Sequence, residues 1–277
     1  MSQGVLYVVA TPLGNLGDMV PRAINILQTV DLIAAEDTRH SRKLLDHFGI
    51  SSDITAYHDH TTEAKREALL RLLSEGKSLA VISDAGTPLI SDPGFKLVQQ
   101  ARAAGVTVVP VPGPCAAIVA LSASGLPCDR FSFEGFLPAK ASARRKALES
   151  LRDETRTLVF YESSHRIVAS VTDMAAVFGV NRQAVIAREL TKLYETIQGD
   201  TLQGLMAWLA ASADNCRGEF VVVVSGAEAV VADDLAEGLR VARLLAESLS
   251  ASQAAELAAR ITGCGRRAIY QALLQES

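Results

Sequence analysis

Between an apolar run, Leu79 to Ile82, and a helical pattern carried by Phe95, Leu97, Val98 and Ala101 stands one long turn sequence. It reads Ser83-Asp84-Ala85-Gly86-Thr87-Pro88-Leu89-Ile90-Ser91-Asp92-Pro93-Gly94. This is a buried strand, a structured loop and a helix. In open α/β sheets, ligands collect where strands end at their carboxyl edge. Gly86 and Gly94 let backbone approach a ligand closely, and Pro88 and Pro93 stiffen the path. Asp92 reads as the N-cap of the helix that follows. Nothing local asks for a carboxylate directly after the strand, so Asp84 is expected to meet a polar ligand.

The same grammar repeats along the first half. Leu6 to Ala10 ends in Thr11-Pro12-Leu13-Gly14-Asn15, and Leu32 to Ala35 ends in Glu36-Asp37-Thr38-Arg39. Val106 to Val111 ends in Pro112-Gly113-Pro114, before a helix of small residues. Helices opened by Pro21 and closed by Gly49 and Gly76 separate the strands. Strand and helix alternating in this way predict an α/β domain with a mainly parallel sheet over residues 1–126. The turns near Leu13, Asp84 and Gly113 are expected to face one crevice.

Composition shifts near Leu126-Pro127-Cys128-Asp129, the expected hinge to a second α/β domain over 127–228. There Phe131, Phe133 and Phe136 form an aromatic cluster and Lys140, Arg144, Arg145 and Lys146 lie on a basic helix. Strands are expected at Thr157 to Tyr161, Ala184 to Ala187, Tyr194 to Gln198 and Phe220 to Val224, some of them antiparallel. Ser163 or Ser164 is expected to cap the helix of Ile167, Val168, Val171 and Met174. A helical segment, 229–277, ends in Ser252 to Ile261, the turn Thr262-Gly263-Cys264-Gly265 and Arg266 to Leu274, which have helix-turn-helix proportions; a helical cap or dimer contact is the favoured reading over nucleic-acid binding.

Several classes drop out. The uncharged stretch from Ala103 to Cys128 is long enough to cross a bilayer, but its prolines and glycines break any helix. Before Val5 there is no basic flank of the kind a signal peptide carries, and the four cysteines are scattered without zinc spacing. A reduced, cytoplasmic protein with neither a metal site nor a membrane role is the expectation. His58 and His60 lack further ligands. No Gly-x-Gly-x-x-Gly follows a strand and no P-loop occurs. A net charge of −4 leaves room only for local basic patches. One such cluster is Arg39, His40, Arg42 and Lys43; the other is Lys140, Arg144, Arg145 and Lys146.

Val9 to Asp18, Ala35 to Arg39, Ser83 to Gly94 and Val111 to Pro114 resemble, in order, the motifs of the ribosomal RNA small subunit methyltransferase I family. The resemblance continues through Gly135-Phe136-Leu137-Pro138, Phe160-Tyr161-Glu162-Ser163 and Arg188-Glu189-Leu190-Thr191-Lys192 to Gly218-Glu219-Phe220. That family belongs to the tetrapyrrole-methylase fold group. The resemblance implies two α/β domains with S-adenosylmethionine in the cleft between them, and a homodimer. It also implies 2′-O-methylation of a cytidine ribose in the decoding region of 16S ribosomal RNA within the small subunit. By position, Leu13, Asp84, Gly86, Thr87, Cys115, Ala116 and Tyr161 look like donor-site residues, and backbone N–H groups near Gly113 suit the methionine carboxylate. Asp37, Glu189 and Lys192 are candidates for taking or orienting the hydroxyl proton, each with an ion-pair role as alternative. The basic clusters are the expected RNA contacts. Three rivals remain: a methylase of a small tetrapyrrole, a carboxylate–metal phosphohydrolase built on Asp84 and Asp92, and a non-catalytic ribosome-assembly factor.

Overall fold

The computed structural model describes residues 4–228 and 234–275. The described residues fall into two compact units, divided after Gly226. In the first unit, β1 (Val5–Val9), β2 (Leu32–Ala35), β3 (Ile54–Ala56), β4 (Leu79–Ile82) and β5 (Thr107–Val111) form one sheet in the order β3-β2-β4-β1-β5. Every pairing in it is parallel. Helices α1 (Pro21–Thr29), α2 (Thr38–His47), α3 (Glu63–Ser74), α4 (Phe95–Ala103) and α5 (Ala116–Ala123) connect or follow the strands. Apolar clusters cover both faces: Val9, Leu27, Ile33 and Leu45 on one, Leu6, Leu73, Leu79 and Leu97 on the other. Burial from both sides is why the inner strands β2 and β4 read as continuous apolar runs. All four residues of β4 are buried.

The order places β4 between β2 and β1. The connection leaving β2 runs outward to β3, while that leaving β4 runs the opposite way to β5. Their carboxyl ends therefore flank a topological switch point, where open sheets leave a crevice. The stretch from 103 to 128 is a strand, a turn and a helix, as expected, and among the described residues no helix is long and apolar enough to cross a membrane.

The second sheet follows in the same unit. It comprises β6 (Phe131–Phe136), β7 (Thr157–Ser163), β8 (Gln183–Arg188), β9 (Thr196–Thr201) and β10 (Glu219–Val224), in the order β6-β7-β10-β8-β9. Only β6 and β7 pair in parallel. Helices α6 (Ala141–Glu149), α7 (Ile167–Phe178) and α8 (Leu202–Ala211) accompany it. Helix α5 belongs to both halves: its Ala117, Ala120 and Leu121 pack on Val159, Val185 and Val221 of the second sheet.

One local expectation fails here. Neither Ser163 nor Ser164 caps α7; Arg166 is the N-cap and gives no side-chain bond. Ser163 is still in strand, paired with Glu219, so its side chain does not stand at a helix entry. The aromatic cluster is itself a strand, β6, with a register shift between Phe133 and Gly135.

The second unit holds α9 (Asp234–Ala246), α10 (Ala251–Thr262) and α11 (Arg266–Gln275). Ser250 and Gln253 form a capping box at the start of α10, and Gly263 closes it at φ 79°, a conformation that favours glycine. Alanines 242, 255 and 258 let these short helices approach closely around Ile269.

Candidate functional site

The loops after β1, β4 and β5 are bonded to one another. Thr11 and Gly86 exchange two backbone hydrogen bonds, at 2.8 and 3.0 Å. The Thr11 hydroxyl donates to the Ser83 carbonyl at 3.2 Å, and the Thr87 hydroxyl to the Pro114 carbonyl at 2.9 Å. Gly86 has φ +82°, and a Cβ there would lie 3.0 Å from Leu13 Cδ2. A side chain at Gly86 is thus strained and pressed on Leu13, so the close approach of the loops requires glycine.

The ends of β2 and β4 are joined reciprocally. The Asp37 N–H donates to Asp84 Oδ1 at 3.1 Å, and the Asp84 N–H donates to the Glu36 carboxylate. Asp84 therefore does have a local structural task. Burial, then the Asp84 charge, raises the Glu36 pKa against that hydrogen bond. Asp92 is pushed up to about 6 by burial first and then by the like charges of Glu36 and Asp84, against a hydrogen bond from Ser83.

Asp92 is not the N-cap of α4. Gly94 holds that place at φ 134° without any side-chain bond, because Pro93 and Gly94 carry the chain past Asp92 before the helix begins. Leu89 and Ser91 are held at φ 74° and 66°, in the left-handed region. Together with Glu189 and Thr191 they are the non-glycine residues with positive φ among the described residues. Such strain, on the order of 1–3 kcal/mol each, concentrates in segments whose shape serves a ligand.

A cavity of about 460 Å³ opens between the two sheets. Loops of the first sheet contribute Leu13, Glu36, Asp84, Gly86, Thr87 and Asp92; Ala116 comes from α5; Phe136, Tyr161 and Gly218 come from the second sheet side. The Tyr161 hydroxyl accepts from the Ala117 N–H at 3.1 Å, and its ring meets Phe133 and Phe136 edge-on at 4.9 and 5.6 Å. Burial, reinforced by Cys115 beside it, raises the Tyr161 pKa, so the phenol stays neutral. Of the expected donor residues, Leu13, Asp84, Gly86, Thr87, Ala116 and Tyr161 share this cavity. Gly113 and Cys115 stand behind it, Gly113 against Ala10 and Cys115 at the N-cap of α5. The sequence reading passed over Glu36 and misassigned Asp92; both sit beside residues it singled out.

The expected proton acceptors lie elsewhere. Asp37 caps α2, accepting from the N–H groups of Arg39 and His40 at 2.8 and 3.4 Å, which hold its carboxyl below the usual range. Lys192 bridges Glu189 at 2.9 Å and Glu219 at 2.8 Å, while its stem covers Gly14 of the first sheet's loop. Partial burial works against the Lys192 charge, but the two carboxylates outweigh it and raise its pKa. A lysine held protonated does not accept a proton. Glu189 is likewise kept ionised: burial pulls its pKa upward, and Lys192 with the Glu219 N–H pulls it down further.

In the basic clusters Arg39, His40, Lys43, Lys140, Arg145 and Lys146 are exposed and Arg42 is half-buried. Arg144 must be removed from the RNA surface. It is buried, donating to Asp173 at 2.7 Å and to the Ala139 carbonyl at 3.1 Å.

Residues 5–206 match the family of tetrapyrrole (corrin/porphyrin) methylases, and residues 232–277 match the RsmI C-terminal HTH domain. A ribosomal RNA small subunit methyltransferase I from Escherichia coli O157:H7 is 53% identical over 275 residues, covering 99% of this chain and 96% of its own. One from Xylella fastidiosa (strain Temecula1) is 56% identical over 267 residues, covering 96% and 98%. The crystal structure of a uroporphyrin-III-C-methyltransferase from Thermus thermophilus is similar in fold at TM-score 0.58 and 19% identity, covering 80% of this chain and 94% of that one. With the cleft between two sheets and near full-length identity to curated relatives, the chain belongs to the ribosomal RNA small subunit methyltransferase I family, on the tetrapyrrole-methylase fold.

Proposed function

We propose that this protein methylates small-subunit ribosomal RNA, using S-adenosylmethionine bound in the cleft between the sheets. The acceptor is the 2′-oxygen of a cytidine in the decoding region. The observation that carries the reading is the charge state of the cleft. Glu36, Asp84 and Asp92 converge in a half-buried cavity; burial and then the Asp84 charge raise Glu36, and burial and then the charges of Glu36 and Asp84 raise Asp92. Such a site is short of positive charge, and a cationic ligand relieves it. S-adenosylmethionine, with a sulfonium and an ammonium, fits that need, and the 460 Å³ volume lies within the ordinary size of cofactor sites.

When bound, the donor supplies a methyl group already activated on cationic sulfur, so the protein has only to align the acceptor oxygen and remove its proton. Leu13, Gly86, Thr87, Ala116 and Tyr161 are the residues that would hold it, with Glu36 and Asp84 facing its positive charge. Asp92 is the proton acceptor in this reading: it lines the cleft and no backbone cap consumes its carboxylate. Its pKa lies near the working pH, where a general base is most effective. Orientation can supply roughly 7–11 kcal/mol of the barrier, more than a base contributes.

Exposed Arg39, His40, Lys43, Lys140 and Arg145 supply phosphate contacts. The paired substitution Arg39→Ala with Lys43→Ala is expected to weaken RNA binding and to shallow its salt dependence by about one per lost phosphate contact, leaving donor affinity unchanged. Filter binding across a salt series reads both. In this reading the protein is a cytoplasmic homodimer, and light scattering tests the dimer. The deciding experiment incubates the protein with methyl-labelled donor and small subunits from cells lacking it, then maps alkali-resistant linkages. Label confined to one cytidine ribose is the expected result; label absent from the RNA overturns the assignment.

A further inference from the structure

A second cavity, of about 360 Å³, adjoins the first across Gly218 and is lined by Arg188, Glu189, Tyr194, Asp214 and Arg217 as well. It is a built site. The Arg188 guanidinium draws three segments together, donating to the carbonyls of Asp214 (3.1 Å), Arg217 (3.2 Å) and Tyr194 (3.2 Å) and to the Thr196 hydroxyl (3.3 Å). Its Nε–H is buried and has no acceptor. An orphaned donor of this kind is costly unless a ligand oxygen or nitrogen supplies the partner.

Glu189 is aimed by strain and contact. Its backbone is at φ 52°, and Gly218 is bare where a Cβ would lie 2.5 Å from the Glu189 Cγ. Oε1 accepts from Lys192 Nζ and from the Glu219 N–H, both at 2.9 Å, while Oε2 has no hydrogen-bond partner among the described residues. Tyr194 is 68% exposed at the rim. Arg217 is largely exposed and, among the described residues, pairs with Asp214 at 2.8 Å.

We propose that this second cavity is the base subsite, taking the pyrimidine of the target nucleotide while its ribose lies in the first cavity; the inference rests on the function proposed above. Tyr194 stacks on the unpaired base, as single-stranded nucleotides are recognised. Glu189 Oε2 accepts from the exocyclic amine of cytosine, the pairing that a carboxylate makes with that base. Arg217 meets a neighbouring phosphate. Uracil places a carbonyl where cytosine has its amine, so the Glu189 carboxylate repels it. The subsite therefore selects cytidine over uridine.

The test compares wild type, Tyr194→Ala, Tyr194→Phe and Glu189→Gln on small subunits carrying cytidine or uridine at the mapped position. Methyl transfer gives kcat and KM, calorimetry with S-adenosylhomocysteine gives affinity at the donor site, and light scattering gives mass. Tyr194→Ala is expected to raise the KM for subunits about tenfold or more while Tyr194→Phe restores it, consistent with loss of one stacked base. Glu189→Gln is expected to relax the preference for cytidine by about tenfold to a hundredfold. Donor-site affinity and mass stay at wild-type values. Unchanged KM and unchanged preference overturn the subsite, as does a Tyr194→Ala protein whose loss of activity tracks a change of mass. If wild type itself transfers no methyl to RNA, the parent assignment fails instead, so the two failures are distinct.

Discussion

Replacing Asp92 by Asn is expected to give a protein that still binds donor and RNA but turns over at least about a hundredfold more slowly, and that unfolds at a higher temperature. The first half follows from removing a general base, whose contribution is typically two to four powers of ten. The second follows from linkage. The Asp92 carboxyl is raised from 3.8 to about 6 in the folded chain, so between those values the folded state holds a proton that the unfolded state has released. Stability therefore falls as pH rises through that window, and the full cost is present above about pH 6. Carried wholly into stability the difference is ~3 kcal/mol; solvent screening of a partly exposed group reduces it to ~1–2 kcal/mol. An amide of the same shape carries no charge and escapes the cost. The pH profile makes the assignment sharper. In the proposed reaction the ionised form is the active one, so kcat/KM for the donor is expected to rise with pH through about 6 in the wild type. In kcat the limb moves lower, because a bound cation favours the carboxylate. Asp92→Asn is expected to flatten both limbs, and stopped assays across pH 5 to 8 with parallel thermal melts check it. A variant that loses donor affinity in proportion to its rate would assign Asp92 to binding.

Asp173→Ala is expected to be the most destabilising single change near the basic helix, costing about 3–5 kcal/mol. Asp173 and Arg144 are 4% and 6% exposed and bonded at 2.7 Å, and removing the carboxylate leaves a buried guanidinium that keeps, among the described residues, the Ala139 carbonyl as its hydrogen-bond acceptor. Arg145 also reaches Asp173 at 2.7 Å, but it is 60% exposed, and Arg145→Ala is expected to cost less than about 1 kcal/mol. Urea unfolding at constant m-value separates the two. The pH sign is opposite to that of Asp92. Burial raises the Asp173 pKa, but hydrogen bonds from Arg145 and Arg144 outweigh it and lower it. Its stabilisation is complete above the ordinary aspartate pKa and is lost as pH falls through the lower folded value.

Strands that read as apolar runs were legible: β4, buried throughout, and β1, β2 and the half-exposed edge strand β5 stand where the sequence predicts them. Strand β6 was hidden because its register shifts between Phe133 and Gly135, which spoils the alternation that marks a half-buried strand. The three-loop crevice was legible from its glycine and proline turns. The roles of single charges were not. Asp92 satisfies the local rule for a helix cap, yet the chain passes it by and tertiary packing turns it into the cleft. Arg144 looks like one charge among several on a polar helix. The signal available was its spacing of four from Leu148, which puts both on one face, and both are buried. Glu189 and Lys192 were singled out for proton transfer with an ion-pair role as alternative; the pair they form with each other is local, but the Glu219 partner on β10 and the contact with the loop after β1 are ones no local pattern can report.

One face of α5, that of Ala117, Ala120 and Leu121, is buried against the second sheet, so the first sheet's last helix depends on the other half to cover its apolar side. A fragment cut after residue 126 carries that sticky surface into solvent, and the remainder loses the lid over Val159, Val185 and Val221. Neither piece is self-sufficient. Insertions between the halves are therefore tolerated only where the connector is free to lengthen without prising this helix loose.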